Sequence, residues 1–380
     1  MKDKLSYVHL RLTISLLKIT GGILGVWYRF VKTKKPKPLI IFPHAQPGSD
    51  GYLRRFEEYF PFFKKDNNDF VVASVTTDKE EFTAFSSGNF AINNFTRKCL
   101  IKRFQQVIGA RKYQVAFIQR GLFLYYYDDS SAFLEKLLSK LAGRVIVDYW
   151  DAVWFRNETL VKNTIKFTTT VTVVNDFLYQ YFSALHPHVK IFPIGVNTNR
   201  YFIKQNYEIN NSIRFFYTGQ PSNVDAFLRI IAPVLKIIGQ NHNYVLQIVS
   251  KARISISDVN IEYFDFDLDS FFKLAAQSDI GLFAVENNDY SKGKMAMKVL
   301  DYMACGLPVV ATPCGLSPYT ENMKNILTAN NEKEWVEKLN YLIENKNERE
   351  RIGRQAQKCI TDFHSLEGSY VLFKEIVYSV

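Results

Sequence analysis

The chain has few cysteines: Cys99, Cys305, Cys314 and Cys359 are the four in 380 residues. None belongs to a C-x-x-C pair or to a zinc-ligand spacing, which argues against a disulfide framework and against a structural metal site. Repeats and low-complexity tracts are also missing, so a solenoid or fibrous protein is excluded. Because scattered thiols are typical of a reducing compartment, we expect a cytoplasmic protein.

The number of charged residues is ordinary, but their positive excess lies in the first half of the chain. Charged residues make up 22% and hydrophobic residues 47% of the chain, which is typical of a globular protein, and 380 residues suit two domains. Residues 1–200 carry 29 Lys+Arg against 16 Asp+Glu, a net +13, whereas the remainder carries 19 against 21, a net −2. The excess indicates a surface for a polyanion, either nucleic acid or an anionic membrane, although solubility alone is an alternative explanation.

The first 37 residues form a basic and apolar segment. The stretch LTISLLKITGGILGVWYRFV contains Lys18 and the pair Gly21-Gly22, and no small-residue cleavage signal follows it, so a clean membrane span is not expected. Residues 1–37 hold nine Lys/Arg and one Asp, with Trp27 and Tyr28 beside the basic run. This composition predicts a helix in a membrane interface. A helix packed on its own domain is the equal alternative.

Short apolar runs alternate with helical patterns along most of the chain. PLIIFPH, DFVVASV, YQVAFIQ, GRVIVDYW and VTVVN form a first series, and IRFFYTG, YVLQIVS, NIEYFDF, DIGLFAV and LPVVAT form a second one after a polar stretch near residue 205. Runs without polar alternation are typical of parallel strands buried on both faces. We predict an α/β protein with two Rossmann-like, doubly wound domains, residues 38–200 and 206–360, and a helix over 361–380 that returns toward the first. Ligands are expected in the cleft between the domains, at the carboxyl ends of strands.

Three lysines crowd the front of a predicted helix in SKGKMAMKVLDYMA. Positive charge is unfavourable at a helix N-terminus, so Lys292, Lys294 and Lys298 suggest a bound anion such as a diphosphate, which would reverse the sign of the interaction. The alternative is that the lysines extend into solvent. Asp301, about one turn after Lys298, is a candidate for binding a ribose diol, or it pairs with a lysine.

The stretch KGKMAMKVLDYMACGLPVVATPCG resembles the donor-site signature of GT4-type glycosyltransferases of the GT-B fold. VTVVNDFLYQYF, IFPIGVNTNRYF and AAQSDIGLFAV extend the resemblance over residues 170–315. It implies transfer of a sugar from a nucleotide-sugar, UDP- or GDP-linked, to an acceptor hydroxyl with retention of configuration. It implies neither a metal nor another cofactor.

Carried over by position, the resemblance places Asp301 where the family's second glutamate binds the donor ribose. Gly293 stands where the first glutamate would contact the sugar, so that contact is missing. Gln220 replaces a usual arginine after the strand that ends in Gly219, and Lys251 replaces a usual glycine. Gly219 and Gly293 stay in the predicted donor site, with the three lysines neutralising the phosphates and Lys251 in reserve.

Catalysis by such a protein requires a stabilised leaving diphosphate and a positioned acceptor. We assign the first role to Lys294 and Lys298. For acceptor contact the candidates are the loop QPGSDG, Asp148 and Asp151, and we select Asp151, whose alternative role is a helix cap.

Other tempting residues are set aside. The DFDLD stretch (Asp265, Asp267, Asp269) looks like a metal-binding DxD motif, but Asp269 is expected to cap the following helix, so no metal is predicted. His44 ends the first strand, and a lone histidine is more often structural.

The leading hypothesis is a cytoplasmic glycosyltransferase bound peripherally to an anionic membrane surface. It would extend a glycan or lipid-linked glycan acceptor for a bacterial surface polysaccharide. Two alternatives are an enzyme of the nucleotide-sugar 2-epimerase kind and a catalytically degenerate member that acts as a membrane assembly partner. Nucleic-acid binding ranks third, because the basic residues match no known module, and we expect no nucleic-acid partner.

Overall fold

The computed structural model describes residues 2–28, 30–31, 34–123, 125 and 128–378, without the side chains of residues 268 and 269. The chain divides into two compact units. The first comprises Met1–Val174, Leu178–Ile194 and Tyr370–Val380, and the second comprises Asn175–Phe177 and Gly195–Ser369. The main change of unit therefore follows Ile194, whereas the sequence suggested a join near residue 205.

The first unit contains a parallel sheet in the order β2-β1-β3-β4-β5-β6. Its strands are β1 (Lys37–Phe42), β2 (Phe70–Val72), β3 (Tyr113–Gln119), β4 (Arg144–Tyr149), β5 (Thr170–Val173) and β6 (Val189–Ile191). The apolar runs predicted all of these strands except β6, which has three residues and an exposed lysine in the middle. The strand order reverses between β1 and β3.

Helix α1 (Lys2–Trp27) precedes β1. The helices between the strands are α2 (Asp50–Arg55), α3 (Phe60–Lys65), α4 (Asp78–Ser86), α5 (Asn89–Gly109), α6 (Phe133–Leu141), α7 (Trp154–Ile165) and α8 (Asp176–Ser183). The stretch YLRRFEEYFPFFKK forms α2, a 3-10 turn and α3. Pro61 lies in the first turn of α3, where its missing N–H costs no hydrogen bond.

Helix α1 runs without interruption through Gly21-Gly22. A Cβ on Gly21 would lie 3.4 Å from the Phe104 ring of α5 and 3.6 Å from the Leu137 side chain of α6, so this glycine lets α1 pack closely. Within the described ranges, α1 is also the one helix long and apolar enough to span a membrane, judged by length and composition only. Packing on its own unit is thus present, and membrane contact stays a prediction.

The second unit repeats the architecture with a parallel sheet in the order β12-β11-β10-β7-β8-β9. Its strands are β7 (Ile213–Thr218), β8 (Tyr244–Val249), β9 (Ile261–Phe264), β10 (Ile280–Phe283), β11 (Val309–Ala311) and β12 (Leu327–Thr328). The order reverses between the neighbours β7 and β10. In doubly wound sheets this reversal opens a crevice at the carboxyl ends of the two strands, where ligands bind.

The helices of this part of the chain are α9 (Pro221–Ile238), α10 (Leu268–Gln277), α11 (Asp289–Lys292), α12 (Met297–Ala304), α13 (Glu332–Glu344), α14 (Lys346–Phe363) and α15 (Leu366–Tyr378). The cap of α10 is Asp267, whose carboxylate accepts a hydrogen bond from the Ser270 N–H at 3.0 Å. The prediction of Asp269 as the cap is wrong because the helix begins one residue before it. The predicted α/β class with two doubly wound units is confirmed.

Candidate functional site

An open pocket of about 1140 Å³ lies in the second unit at the switch point between β7 and β10. Its walls come from the first turns of α9, the loop after β10 and the region where α12 begins. The polar side chains that line it are those of Tyr217, Asn223, Glu286, Asn288, Tyr290, Ser291, Lys294 and Lys298. The pocket therefore occupies the place where a doubly wound sheet binds a ligand.

The lysine stretch forms two helices and not the one that was predicted. Asn288 caps the short helix α11 by accepting a hydrogen bond from the Ser291 N–H, and α11 ends at Lys292 with Gly293 as its C-cap. Helix α12 begins only at Met297, so Lys298 alone lies in its first turn. Lys294 belongs to the connection between the two helices.

Lys298 is a half-buried cation beside an aromatic ring. Its Nζ lies 3.4 Å from the Tyr217 hydroxyl oxygen and 4.9 Å from the centre of the Tyr217 ring. Burial, helped by the positive charge of Lys294, lowers the Lys298 pKa to about 8, while Asp301 acts in the opposite direction. An anion in the pocket would favour the charged form of Lys298 and raise its pKa.

Lys294 faces the same pocket, and Lys292 does not line it. The Lys294 Nζ lies 4.0 Å from the centre of the Tyr290 ring, whereas the Lys292 Nζ pairs with an Asp289 carboxylate oxygen at 3.3 Å. In the part of the chain that the structure describes, no carboxylate forms an ion pair with Lys294 or Lys298. The structure thus brings together two of the three predicted lysines.

Backbone contacts hold this connection in place. The Asn175 side-chain amide donates hydrogen bonds to the carbonyl oxygens of Lys292 and Lys294, at 3.2 and 3.3 Å. The Ala296 N–H donates to the Gly315 carbonyl at 2.8 Å. Gly315 has a φ of +65°, and a Cβ there would overlap the Lys294 carbonyl oxygen, so only glycine fits.

Tyr217 and the start of α9 complete the pocket. The Tyr217 ring stacks on Phe227 with centroids 3.7 Å apart, and a Cβ on Gly219 would lie 2.7 Å from the Tyr217 hydroxyl. Gly219 therefore makes room for Tyr217. Helix α9 begins at Pro221 without a side-chain cap from Gln220, so two helix N-termini, those of α9 and α12, adjoin the pocket. N–H groups, helix dipoles and two ammonium groups together suit a phosphate.

The other residues predicted to bind the donor are not among the described residues that line this pocket. Asp301 is buried, and its Oδ1 accepts a hydrogen bond from the Tyr201 hydroxyl at 2.6 Å. Lys251 is exposed after β8, and Gly293 is buried at the end of α11. Their predicted contacts with a ligand stay predictions.

Sequence reasoning missed Tyr217, Asn223 and Glu286. Their positions in the predicted strands and helices could have identified them. Tyr217 lies near the end of β7, Asn223 in the first turn of α9, and Glu286 shortly after β10. The carboxyl ends of β7 and β10 meet at the switch point, so residues there share one pocket.

The predicted acceptor residue Asp151 lies in the first unit, where it forms an ion pair with Arg120. Val153 is the N-cap residue of α7, so the alternative role of Asp151 as a helix cap is wrong. Arg120 lines a smaller pocket at the carboxyl ends of β1, β3 and β4, together with His44 and Tyr149. Burial and three nearby arginines lower the His44 pKa well below its usual value, so His44 is neutral at neutral pH.

Asp148, the other acceptor candidate, lies in the core, where its carboxylate is hydrogen-bonded to other side chains. Its carboxylate accepts hydrogen bonds from Arg55 at 2.6 and 2.9 Å and from the Thr172 hydroxyl at 2.7 Å, and the Asp148 and Arg55 side chains are fully buried. Asp148 is therefore a structural residue.

The residues of the DFDLD stretch have other partners. Asp265 pairs with Arg253 at 2.6 Å, and Asp267 caps α10. Among the residues described, no group of three or more His, Cys, Asp and Glu side chains is placed to hold a metal ion.

The two sheets and their connections match those of GT-B glycosyltransferases. A sucrose-phosphate synthase from Thermosynechococcus elongatus superposes with a TM-score of 0.64 at 11% identity over 90% of this chain and 98% of that one. HepE from Anabaena, solved with UDP and glucose, superposes with a TM-score of 0.64 at 12% identity over 90% of this chain and all of that one. A glycosyltransferase from Rickettsia africae gives a TM-score of 0.61 at 15% identity, over 90% and 100% of the two chains. These likenesses establish the fold.

Sequence comparison adds a more local match. Residues 245–370 match the family model described as glycosyl transferase-like. The matched range contains the lysine stretch, the loop after β10 and Gly315. No curated protein sequence matches the chain significantly.

Proposed function

We propose that the protein is a glycosyltransferase that moves a sugar from a nucleotide-sugar donor to an acceptor hydroxyl. The observation that carries this proposal is the position of Lys294 and Lys298. They line a pocket at the switch point beside two helix N-termini, and neither forms an ion pair with a described carboxylate. The glycosyl transferase-like family match over residues 245–370 and the UDP complex of the similarly folded HepE support it.

In this proposal the pocket binds the diphosphate of a UDP- or GDP-linked sugar. When the bond from the sugar to the diphosphate breaks, negative charge grows on the leaving phosphate, and preorganised positive groups stabilise it. Lys294 and Lys298 supply two charges and the N–H groups of α12 supply a dipole, so no metal is required. We assign the reaction to the retaining, GT4-type class on the resemblance of the lysine stretch.

The acceptor is proposed to bind at the first unit through Asp151. The ion pair with Arg120 fixes the carboxylate, which could then accept a hydrogen bond from an acceptor hydroxyl. Neutral His44 lines the adjoining pocket and offers a second hydrogen-bonding group. These contacts would hold the acceptor oxygen in a fixed direction, and such positioning lowers the barrier to transfer.

The proposed setting is the cytoplasmic face of a membrane, where the enzyme extends a lipid-linked glycan for a bacterial surface polysaccharide. The net charge of +13 in residues 1–200 supports binding to anionic lipid. Glycan acceptors on lipid carriers are confined to that surface, so docking would raise the encounter rate.

The test is a turnover assay with a panel of UDP- and GDP-sugars and lipid-linked oligosaccharide acceptors, all in EDTA. We expect nucleotide diphosphate release that depends on the acceptor, falls at least tenfold in Lys294→Ala/Lys298→Ala, and stays unchanged in the matched variant Lys292→Ala. Donor binding without turnover would favour the assembly partner, and conversion of the donor to its epimer without an acceptor would favour the epimerase.

A further inference from the structure

Helix α1 carries a continuous apolar ridge on its solvent side. Seven residues, spaced three or four apart, are each 49–66% exposed and define the α1 ridge: Leu5, Val8, Leu12, Leu16, Ile19, Ile23 and Val26. At 100° per residue they fall within an arc of about 80°. The ridge therefore runs along almost the whole helix, which is about 39 Å long.

The opposite face of α1 is bound to the first unit. Leu10, Ile14 and Gly21 are buried on that face. Two polar contacts tie α1 to α5 and the residues just after it: the Asn93 amide donates to the Ser6 hydroxyl at 3.1 Å, and Arg111 donates to the Tyr28 hydroxyl at 2.6 Å.

A third contact lies between these two, where Lys18 pairs with Asp129 at 2.5 Å. The pairs Ser6 with Asn93 and Tyr28 with Arg111 are separated by 87 and 83 residues, so α1 and α5 run side by side in the same direction. A helix attached along its length cannot cross a bilayer unless these contacts break. It can lie along a bilayer surface.

We infer that the α1 ridge is a membrane-docking surface that lies flat in the headgroup region of an anionic bilayer. Half-exposed aliphatic side chains over seven turns are costly in water and favourable at the boundary between headgroups and acyl chains. Trp27, which is 54% exposed, lies at the end of the ridge, where an indole ring prefers the interface.

Charge favours lipid over a second copy of the chain as the occupant. Residues 1–37 contain nine Lys/Arg and one Asp, a net +8, so two such segments would repel each other across a dimer interface. The same charge attracts phosphatidylglycerol and similar anionic lipids, by about 1 kcal/mol for each basic residue near the surface.

This inference extends the membrane part of the proposed function and can fail separately from it. Vesicle binding is measured without donor, and donor binding is measured without vesicles. A protein that loses vesicle binding can therefore keep donor binding, and the reverse.

The test is co-sedimentation of the full chain with vesicles of phosphatidylcholine, with and without phosphatidylglycerol. The ridge variant is Leu12→Gln/Leu16→Gln/Ile19→Gln, and the matched control removes three exposed apolar residues elsewhere: Leu185→Gln/Phe202→Gln/Ile203→Gln. We expect wild type and control to bind the anionic vesicles and to be released by alkaline carbonate. The ridge variant should bind roughly 100-fold more weakly, because three side chains no longer enter the lipid.

Several results would overturn the inference. The first two are equal binding by the ridge variant and wild type, and no binding by wild type. The third is retention of wild type on the vesicles after carbonate, which indicates a spanning helix. The fourth is that wild type is a dimer and the ridge variant is a monomer. Because a folding defect would mimic weak binding, the single variant Leu16→Glu and circular dichroism accompany the assay. Leu16→Glu should keep the native spectrum and also lose binding.

Discussion

The Lys298 ammonium lies 3.4 Å from the hydroxyl oxygen of Tyr217, and burial lowers the Lys298 pKa to about 8. Burial also raises the pKa of Tyr217, so the hydroxyl stays neutral and gives no counter-charge. Among the described residues, no carboxylate forms an ion pair with Lys298, and Tyr217 does not supply one. That relationship connects the lysine stretch to the binding of a diphosphate.

Diphosphate affinity should depend on the protonation of Lys298. In the free protein the ammonium loses its proton above about pH 8, and a bound diphosphate raises the pKa by favouring the charged form. Affinity for UDP or GDP should consequently fall above that pH, by up to tenfold per pH unit. Titration calorimetry in buffers of different ionisation enthalpy would also detect proton uptake.

Lys298→Arg is the control for this pH dependence, since a guanidinium keeps its charge over the range. Its pH profile should be flat where that of wild type falls. An equally steep profile for both proteins would assign the titration to another group.

Glu286 is expected to contact the sugar part of the donor. It is the carboxylate among the described lining residues, while Gly293 stands where the GT4-type signature that the lysine stretch resembles has a glutamate. Glu286→Gln should weaken binding of the nucleotide-sugar by roughly tenfold, because a charged acceptor for the sugar hydroxyls is lost. Affinity for the free diphosphate should stay the same, and equal losses for both ligands would contradict the assignment.

Gly315→Ala should distort the lysine connection. The added Cβ meets a φ of +65° and the carbonyl of Lys294, so we expect a loss of about 2 kcal/mol or more in the free energy of unfolding and weaker diphosphate binding. Gly22→Ala is the matched control, because a Cβ there meets nothing within 4 Å in α1. It should stabilise the protein by about 0.5–1 kcal/mol. If Gly315→Ala is destabilised but binds diphosphate as tightly as wild type, the connection between α11 and α12 does not contribute to the binding site.

The central strands were predictable because most of their residues are buried, and β3 matches its apolar run at both ends. The two-residue strand β12 was missed, because two residues show no periodicity. The lysine stretch was found, but its break into α11 and α12 was not. The break depends on the Asn288 cap and on the remote contacts of Asn175 and Gly315, which no local pattern reveals.

The same limit explains the acceptor candidates. Asp148 and Asp151 were both acceptor candidates in VDYWDAVW, with Asp151 preferred, and the sequence contains nothing that pairs Asp148 with Arg55, which lies 93 residues earlier. Only the fold shows that one carboxylate is buried in an ion pair with Arg55 while the other is half-exposed beside Arg120.

That difference has a measurable consequence. Asp148→Asn leaves the buried Arg55 charge uncompensated and should lower the free energy of unfolding by about 3–5 kcal/mol. Asp50→Asn removes the exposed partner of Arg54 and should cost less than about 1 kcal/mol. Urea unfolding followed by circular dichroism measures both. Similar small losses would show that the Asp148 pair contributes little.

The most direct test of the donor site is titration calorimetry of UDP and GDP in EDTA with wild type, Lys294→Ala/Lys298→Ala and Lys292→Ala. We predict saturable binding of one diphosphate to wild type and to Lys292→Ala, and a loss of roughly 100-fold in the double variant, because two charge-assisted contacts disappear. Equal affinity in all three proteins, or no binding to wild type, would contradict the assignment of this pocket to a nucleotide-sugar.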